Sequence, residues 1–264
     1  MQVNKVGNYK NNHKMRNLIG VKKCINWAVE CLYPPCCPLC DKVLEKEEKN
    51  LGICRRCQYR LVYITNNYCL KCGKPISSET VEFCKDCKKQ DHAYVQARSL
   101  LSYQGKTRES LYRLKYKNRR EYAQFFSNEI CQVLGSWIRQ CHVDWIIPIP
   151  MFPEKERKRG YNQAQILAAN IGRKMGISLL EDGLVKLQET KQQKDLNARE
   201  RQKNLEAAFG IGFGEEKATE KLVGRRILLI DDIYTTGATV DAAAKVLLRK
   251  GVAEVYVLTV AIGG

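Results

Sequence analysis

Residues 227 to 240, with the sequence ILLIDDIYTTGATV, constrain the fold of this chain more than any other segment. Four apolar residues, Ile227 to Ile230, lead directly into two carboxylates, Asp231 and Asp232. Such an apolar run is typical of a strand that is buried on both faces of a parallel sheet. Open α/β sheets bind their ligands at the carboxyl ends of strands of this kind. The segment therefore predicts a strand, a ligand-binding loop and a helix, in that order.

The loop after this strand has the chemistry of a phosphate cradle, and it consists of Thr235, Thr236, Gly237, Ala238 and Thr239. Backbone N–H groups and hydroxyls just ahead of a helix N-terminus can surround a phosphate, and glycine allows a positive φ there. Asp231 and Asp232 lie where they can accept hydrogen bonds from two sugar hydroxyls or hold a hydrated Mg²⁺. Together these features predict a ribose 5-phosphate ligand. The simpler alternative is a buried strand that ends in a solvated Asp-Asp turn.

Thirteen cysteines are present, and eight of them form four Cys-x-x-Cys pairs within about 50 residues. One such pair presents two thiolates to a metal, so two pairs complete a tetrahedral zinc site. The pattern favours two structural zinc ions in two zinc ribbons over redox motifs or an iron–sulfur centre. Sequential pairing of the turns is the simplest arrangement, and interleaved pairing stays open. The predicted ligands are Cys37, Cys40, Cys54, Cys57, Cys69, Cys72, Cys84 and Cys87.

The chain carries a formal net charge of +17, which favours a polyanionic partner, nucleic acid before membrane. Residues 1–23 hold six cations and no acid, so we expect a disordered basic tail, with Met15 as an alternative start. No signal sequence or membrane span is expected near Cys24 to Tyr33, because the apolar stretch is short and contains Glu30. Reduced, metal-bound cysteines then predict a cytoplasmic protein.

The segment 106–120 combines seven cations with one acid, Glu109. Tyr112 and Tyr116 are four residues apart, so one helical face would offer both charge and stacking surface. That combination suits single-stranded DNA, because aromatic rings stack on bases while cations follow the backbone. The predicted DNA contacts are Arg113, Lys115, Tyr116 and Arg119. The alternative is an amphipathic helix with tyrosines in the core and solvated cations.

Several further elements follow from hydrophobic periodicity. Strands are predicted at about 93–103, 143–150 and 254–261, with a long helical pattern around Phe126 to Trp137. The segment PEKERKRG, residues 153–160, is predicted to be a basic loop that leads into a helix. Gly210, Gly212 and Gly214 are interpreted as a flexible loop, because the rest of a dinucleotide fingerprint is missing.

The segment IDDIYTTGAT closely resembles the phosphoribosyl-pyrophosphate (PRPP) motif of type I phosphoribosyltransferases. The whole chain from about residue 25 resembles the ComF family of bacterial competence proteins. The resemblance rests on CPLC at 37–40 with the later cysteine pairs, YQG at 103–105 with LKY at 114–116, IPIP at 147–150 and RGYNQA at 159–164. Gln193, Leu196, Arg199, Arg201 and Asn204 fit a polar loop of the same family.

This resemblance implies an α/β fold: a type I phosphoribosyltransferase-like parallel sheet flanked by helices, with a small N-terminal zinc-ribbon domain. The implied domains are a basic tail at 1–23, a short helix and double zinc ribbon at 24–92, and a phosphoribosyltransferase-like domain at 93–264. It further implies a role in DNA uptake and the handling of incoming single-stranded DNA. The implied partners are single-stranded DNA, PRPP with Mg²⁺ and other DNA-uptake proteins.

The same resemblance assigns roles to individual residues. Thr235 to Thr239 would hold the 5-phosphate, and Asp231 and Asp232 would bind the ribose. Pyrophosphate would lie near Pro150 and Met151 with Arg159, since guanidinium groups match phosphate oxygens. Gln163 either points at the ligand or caps its helix. The loop around 194–204 could close over the site and bring Arg199 to the pyrophosphate or to DNA.

Three functions are compatible with these residues. The first is a competence protein that handles single-stranded DNA and binds PRPP. The second is an active phosphoribosyltransferase that acts on a base or an amine, although no residue is an obvious general base. The third is a zinc-ribbon regulator that senses PRPP. The acceptor substrate and the oligomeric state do not follow from the sequence.

Overall fold

The computed structural model describes residues 32–78, 80–188 and 205–263. The chain forms two compact units that divide between Tyr59 and Arg60. The first unit contains the first two Cys-x-x-Cys pairs, and the second contains the other two pairs together with the sheet. The domain division predicted from the sequence, at residues 92 and 93, stays a prediction. The basic tail lies outside the described residues.

The first unit is organised around its cysteines. Cys36 and Val43 form an antiparallel bridge, and the N–H of Cys37 donates to the carbonyl of Lys42 at 2.8 Å. Cys54 precedes a single helical turn, α1 (Arg55–Gln58), in which Cys57 is buried. Leu39 and Ile53 are also buried. The unit has a small apolar core, so bound metal would supply much of its folding free energy.

The same turn recurs at the start of the second unit. Tyr68 bridges Pro75, and the N–H of Cys69 donates to the carbonyl of Lys74 at 2.8 Å. Residues 36–43 and 68–75 therefore share one local structure, in which a Cys-x-x-Cys pair is enclosed by a backbone bridge. This internal repeat is hidden in the sequence, because the two segments share little beyond the cysteine spacing.

The second unit is built on a five-stranded parallel sheet in the order β1-β7-β6-β2-β3. The strands are β1 (Gln96–Ser102), β2 (Trp145–Pro148), β3 (Ser178–Leu179), β6 (Arg226–Tyr234) and β7 (Glu254–Ile262). A separate two-stranded antiparallel sheet pairs β4 (Val185–Lys186) with β5 (Phe209–Gly210). The predicted α/β class with a parallel sheet and flanking helices is confirmed.

Seven helices accompany the strands in the described part of this unit. They are α2 (Gly105–Tyr116), α3 (Tyr122–Val133), α4 (Gly135–Gln140), α5 (Pro153–Arg159), α6 (Gln163–Met175), α7 (Glu215–Leu222) and α8 (Ala238–Arg249). The β6–α8–β7 order gives two neighbouring parallel strands, as the strand–helix–strand pattern predicts. Long apolar strands of this kind form only where helices cover them.

Helices cover both faces of the central strand β6. Ile227 and Leu229 pack into one buried cluster with Ala243 and Leu247 of α8. On the opposite face, α6 crosses β2 so closely that a Cβ on Gly172 would lie 3.7 Å from a methyl group of Ile146. Alternate side chains of a strand point to opposite faces, so a continuous apolar run is buried in full.

The outer edge of β1 is covered by the segment that carries the second cysteine cluster. The N–H of Ile64 donates to the carbonyl of Leu100 at 3.0 Å, and the N–H of Ser102 donates to Val62 at 3.0 Å. Further along, the N–H of Ala97 donates to the carbonyl of Lys71 at 2.8 Å. These bonds satisfy backbone groups that an edge strand would otherwise expose.

Two of the local predictions are wrong. Residues 153–159 form helix α5 and are not an irregular loop, because Pro153 begins the helix, acids occupy its first turn and cations its last. Gly210 belongs to strand β5, and Gly212 packs against the backbone of Asp182, so this segment is not an irregular loop. The long helical pattern around Phe126 is interrupted at Leu134 and continues as α4.

Candidate functional site

A cavity of about 500 Å³ opens at the carboxyl ends of β2 and β6. This is the edge of a parallel sheet where ligands bind. Residues that the sequence analysis singled out meet there from three separate segments. The predicted residues in its wall are Pro150, Met151, Arg159, Asp231, Asp232, Thr235 and Thr239.

The two carboxylates lie within β6, which continues past them to Tyr234, rather than after the strand. The N–H of Asp232 donates to Asp231 Oδ1 at 2.8 Å. Asp232 is 2% exposed, and the Lys115 ammonium lies 2.7 Å from its Oδ2. The carboxylates therefore differ in role, because Asp232 is held in a buried ion pair while Asp231 is left to face the cavity.

Burial and the adjacent charge of Asp232 together raise the pKa of Asp231 above the usual range for a carboxyl group. Burial by itself would lower the pKa of Lys115, but the attraction of Asp232 outweighs it, so that pKa is raised. Lys115 is therefore charged, and it neutralises Asp232. An incoming cation or hydroxyl-bearing sugar would draw Asp231 into its charged form.

Lys115 was predicted as a DNA contact, and the structure places its ammonium group in this cavity, against Asp232. The LKY motif at 114–116 was the sequence signal that marked this position. In the structure, Leu114 is buried and Tyr116 is exposed. Helix α2 thus turns three adjacent residues in different directions. Only the tertiary structure reveals that the Lys115 side chain is the one that points to Asp232.

The RGYNQA segment connects the cavity walls. The Tyr161 hydroxyl donates to the carbonyl of Leu114 on α2. Asn162 caps α6 by accepting from the N–H of Ala164 at 3.0 Å, and its amide donates to the carbonyl of Ile149 at 3.0 Å. One short segment therefore fixes α2, α6 and the end of β2 relative to one another.

Gln163 points into the cavity, and Asn162 caps the helix. The Gln163 Oε1 accepts from Arg159 Nη1 at 2.6 Å, and its Nε2 lies 3.5 Å from Asp232 Oδ1. Arg159 in turn stacks over the ring of Tyr116 at 5.1 Å. A polar chain thus links Arg159, Gln163, Asp232 and Lys115 along one side of the cavity.

The loop from Thr235 to Thr239 contributes two threonines, Thr235 and Thr239, to the cavity wall. Gly237 has a φ of 78° and immediately precedes α8, whose N-terminus therefore faces the loop. A Cβ at this position would lie 2.6 Å from Tyr234 Cζ, so no other residue fits without displacing that ring. The N–H of Ala238 donates to Thr236 Oγ1 at 3.4 Å, and backbone N–H groups at a helix N-terminus next to threonine hydroxyls are well suited to a phosphate.

Cations surround the cavity in excess of its acids. Lys155 of α5 and Lys186 of strand β4 were missed by the sequence analysis, and they join Arg159 and Lys115 in the wall. Four cations face two carboxylates, which favours a ligand with several negative charges. Lys155 lies in the segment that was predicted to be a basic loop, and no motif in the sequence pointed to Lys186. Arg157 and Lys158 are exposed on α5.

Tyr112 and Tyr116 are 52% and 60% exposed, so the alternative of core tyrosines is wrong. Their ring centroids are 4.9 Å apart. The core face of α2 consists instead of Thr107, Ser110, Leu111 and Leu114. Arg113 lies on the same helix and pairs with Glu109 at 3.2 Å, while Arg119 follows the helix and pairs with Glu121 at 3.4 Å.

The eight predicted cysteine ligands form two clusters of four, with the sulfur atoms of each within 4.8 Å of one another. Within the first cluster, Cys40 and Cys54 sulfurs are 3.8 Å apart, and in the second, Cys72 and Cys84 are 3.7 Å apart. Sulfurs about 2.3 Å from a tetrahedral zinc lie about 3.8 Å from each other. The clusters have sequential composition and the right size and donor set for zinc.

One predicted part of the site falls on residues that the structure does not describe. Arg199, with the rest of the 194–204 loop, lies outside the described residues. In the described ranges, no helix combines the length and the apolar character that crossing a membrane requires.

Two family models match the chain. A double zinc ribbon domain matches residues 28–88, and a phosphoribosyl transferase domain matches residues 157–263. The first range contains all eight clustered cysteines, and the second contains Arg159, the acid pair and the 235–239 loop. The models thus agree with the two kinds of site that the structure contains.

Relatives match most of the chain. Competence protein ComFC of Bacillus subtilis is 31% identical over 81% of this chain and 89% of its own length. Competence protein F of Haemophilus influenzae is 27% identical over 78% and 88%, and DNA utilization protein YhgH of Salmonella typhimurium is 27% identical over 85% and 95%. Fold and site define a phosphoribosyltransferase-fold protein with a double zinc ribbon. The chain belongs to the ComF family of competence proteins.

Proposed function

We propose that this protein binds PRPP with Mg²⁺ in the cavity and handles single-stranded DNA in the cytoplasm during DNA uptake. PRPP binding is supported by one observation: the 235–239 loop, the two aspartates and four cations all line one cavity at the sheet edge. PRPP has a complementary group for each of these three parts: a 5-phosphate for the loop, ribose hydroxyls for the aspartates and a pyrophosphate for the cations.

In this proposal the 5-phosphate accepts hydrogen bonds from the 235–239 loop at the N-terminus of α8. The ribose hydroxyls donate to Asp231, and Asp232 supports them while paired with Lys115. Pyrophosphate lies near Pro150 and Met151 with Arg159 and Lys155. Because Asp232 is already paired, Asp231 is the protein carboxylate that would help to hold Mg²⁺, with phosphate oxygens and waters as the other ligands.

The eight clustered cysteines would hold two structural zinc ions. Their sulfur spacing supports this proposal, and the small core of the first unit explains why metal is needed there.

Calorimetric titration with Mg–PRPP tests the sugar-phosphate site. The sequence suggested replacing both acids, but removing Asp232 would leave the Lys115 charge buried without its partner. Asp231→Asn is the cleaner variant, and we expect it to weaken binding about 10- to 100-fold through loss of charge-assisted hydrogen bonds. Asp144→Asn is a matched control, because Asp144 precedes β2 at the amino ends of the strands. Equal affinity of wild type and Asp231→Asn contradicts the site.

The proposal for DNA rests on the exposed ring pair of α2 with cations beside it. The names of the relatives, which include competence and DNA utilization proteins, support the same role. Bases would stack on Tyr112 and Tyr116, and Arg113 and Arg119 would exchange their acidic partners for phosphates.

Fluorescence anisotropy with labelled single-stranded DNA at several salt concentrations tests this surface. Tyr116→Ala should weaken binding by about 1–3 kcal/mol at an unchanged salt slope. Replacing Arg113 and Arg119 by Gln should flatten the slope by about 0.7 for each lost phosphate contact.

Two matched controls separate this surface from general effects. Tyr59→Ala removes an exposed tyrosine of the other unit, and Arg173→Gln with Lys174→Gln removes two cations at the end of α6. If the controls weaken binding as much as the α2 variants, DNA binds without using this surface.

A further inference from the structure

The second cysteine cluster shares its buried surroundings with the phosphate loop. Cys69, Cys72 and Cys84 belong to the same buried cluster as Tyr94 and Tyr234. That cluster also contains Val240 and Ala243 of α8, which follows the loop directly. Packed side chains therefore form a continuous connection between the second cysteine cluster and the loop.

A pair of tyrosine hydroxyls forms the first connection. Tyr94 Oη and Tyr234 Oη are 2.7 Å apart, and both side chains are buried. Tyr234 is the last residue of β6, and its ring lies against Gly237 in the loop. The carbonyl of Tyr234 accepts from the N–H of Gly263 at 2.9 Å, so its backbone is also fixed. The Tyr94 hydroxyl thereby determines where the ring beneath the loop lies.

Asp241 in the first turn of α8 forms the second connection. Its Oδ1 accepts from the N–H of Ala93 at 2.6 Å and lies 3.6 Å from Nδ1 of His92. His92 stacks on Tyr94, with ring centroids 5.0 Å apart. The N–H of Asp241 donates to the carbonyl of Gly237 at 2.9 Å. The segment after Cys87, which includes His92 and Ala93, is thus hydrogen-bonded to the first turn of α8.

The cysteine turn itself is fixed to the sheet by backbone contacts. The carbonyl of Lys71, between Cys69 and Cys72, accepts from the N–H of Ala97. Gly73 lies so close to this strand that a Cβ would be 2.7 Å from the Ala97 carbonyl oxygen. The turn cannot relax away from the strand without breaking these contacts.

We propose that the second cysteine cluster, acting through Tyr94 and Asp241 as positioning residues, sets the geometry of the 235–239 loop. Metal at Cys69, Cys72, Cys84 and Cys87 then strengthens binding of a sugar 5-phosphate, and by linkage the bound phosphate retains the metal. This inference rests on the proposed sugar-phosphate site. The first cluster lies in the other compact unit and provides an internal reference.

The test compares three variants of the full-length protein. They are Tyr94→Phe, the pair Cys84→Ser with Cys87→Ser, and the reference pair Cys37→Ser with Cys40→Ser. The probes are ribose 5-phosphate, which the proposed function places on the 235–239 loop, and Mg–pyrophosphate, which it places near Pro150 and Met151. Hydrogen exchange of residues 233–241 without ligand is a second readout. The third is the rate at which a chromogenic chelator removes zinc with and without ribose 5-phosphate.

We expect Tyr94→Phe to weaken ribose 5-phosphate binding on the order of fivefold and to leave Mg–pyrophosphate affinity unchanged. Exchange across 233–241 should accelerate in Tyr94→Phe and in the second-cluster pair, and not in the first-cluster pair. Ribose 5-phosphate should slow the loss of one of two zinc ions. A merely destabilised protein would instead lose affinity for both probes alike.

The outcomes separate this inference from the proposed function. If wild-type protein binds neither PRPP nor ribose 5-phosphate, the proposed function fails, and the exchange measurement still decides whether the cluster holds the loop. If wild type binds and Tyr94→Phe changes neither affinity nor exchange, the inference is refuted. Equal effects of the two cysteine pairs on exchange at 233–241 also refute it. Unfolding of the second-cluster pair leaves Tyr94→Phe as the deciding variant.

Discussion

Replacement of Gly237 by alanine is the sharpest test of the loop geometry, because two separate costs are set by the structure. The first is backbone strain: a φ of 78° costs a residue with a Cβ about 1–2 kcal/mol. The second is steric, since the new Cβ would lie 2.6 Å from Tyr234 Cζ and closer still to its hydroxyl. Neither the ring nor the loop can keep its position.

The steric cost can be estimated from what must move. Displacing the Tyr234 ring breaks its hydrogen bond to Tyr94, worth about 0.5–1.5 kcal/mol. Overpacking of a buried site adds about 1–3 kcal/mol. Gly224→Ala is the matched control, because Gly224 has a φ of 71° and nothing lies within 4 Å of its added Cβ. We therefore expect Gly237→Ala to be less stable than Gly224→Ala by about 2 kcal/mol or more.

Urea unfolding followed by tryptophan fluorescence measures the stability of the sheet unit when Trp27 is replaced by phenylalanine, because the other two tryptophans, Trp137 and Trp145, both belong to that unit. Calorimetry with ribose 5-phosphate reports on the loop. Gly237→Ala should lose measurable binding while Gly224→Ala binds like wild type. If both variants lose the same stability and both bind ribose 5-phosphate, then the Tyr234 ring does not support the loop.

Three further predictions follow from the ion pair, the acid and the cysteines. Lys115→Met should cost about 3 kcal/mol of unfolding free energy because it leaves the Asp232 charge unpaired, and adding Asp232→Asn should recover part of that loss in a double-mutant cycle. Since burial and the charge of Asp232 raise the pKa of Asp231 to about 8, Mg–PRPP must displace its proton at neutral pH, so affinity should increase as the pH rises to about 8 and level off above it, with proton release in calorimetry that Asp231→Asn removes. Metal analysis should return two zinc ions per chain, and a value of one or none contradicts the assignment of two zinc clusters.

The sequence by itself determined the features that depend on neighbours along the chain. The apolar run before Asp231 indicated a buried strand, and the Thr-Gly loop after it indicated the start of a helix. Cys-x-x-Cys spacing fixed which two sulfurs of each turn can bind one metal, because a tight turn brings only nearby residues together, while the structure decided that successive turns share a cluster. Family resemblance extended these local statements to the fold class, which the structure and the family models confirm.

Tertiary structure alone decided the features that depend on distant segments. Lys115 and Asp232 are separated by 117 positions, and whether the ammonium faces DNA or an acid depends on how α2 crosses the sheet. Periodicity cannot reveal such a direction, since Lys115 and Tyr116 have adjacent places on one helix. The hydrogen bond between Tyr94 and Tyr234 likewise forms only when β1 and β6 enter the same sheet. The two tyrosines are far apart in the sequence, so no local pattern predicts their contact. The proposed link between a cysteine cluster and the phosphate loop depends on this contact.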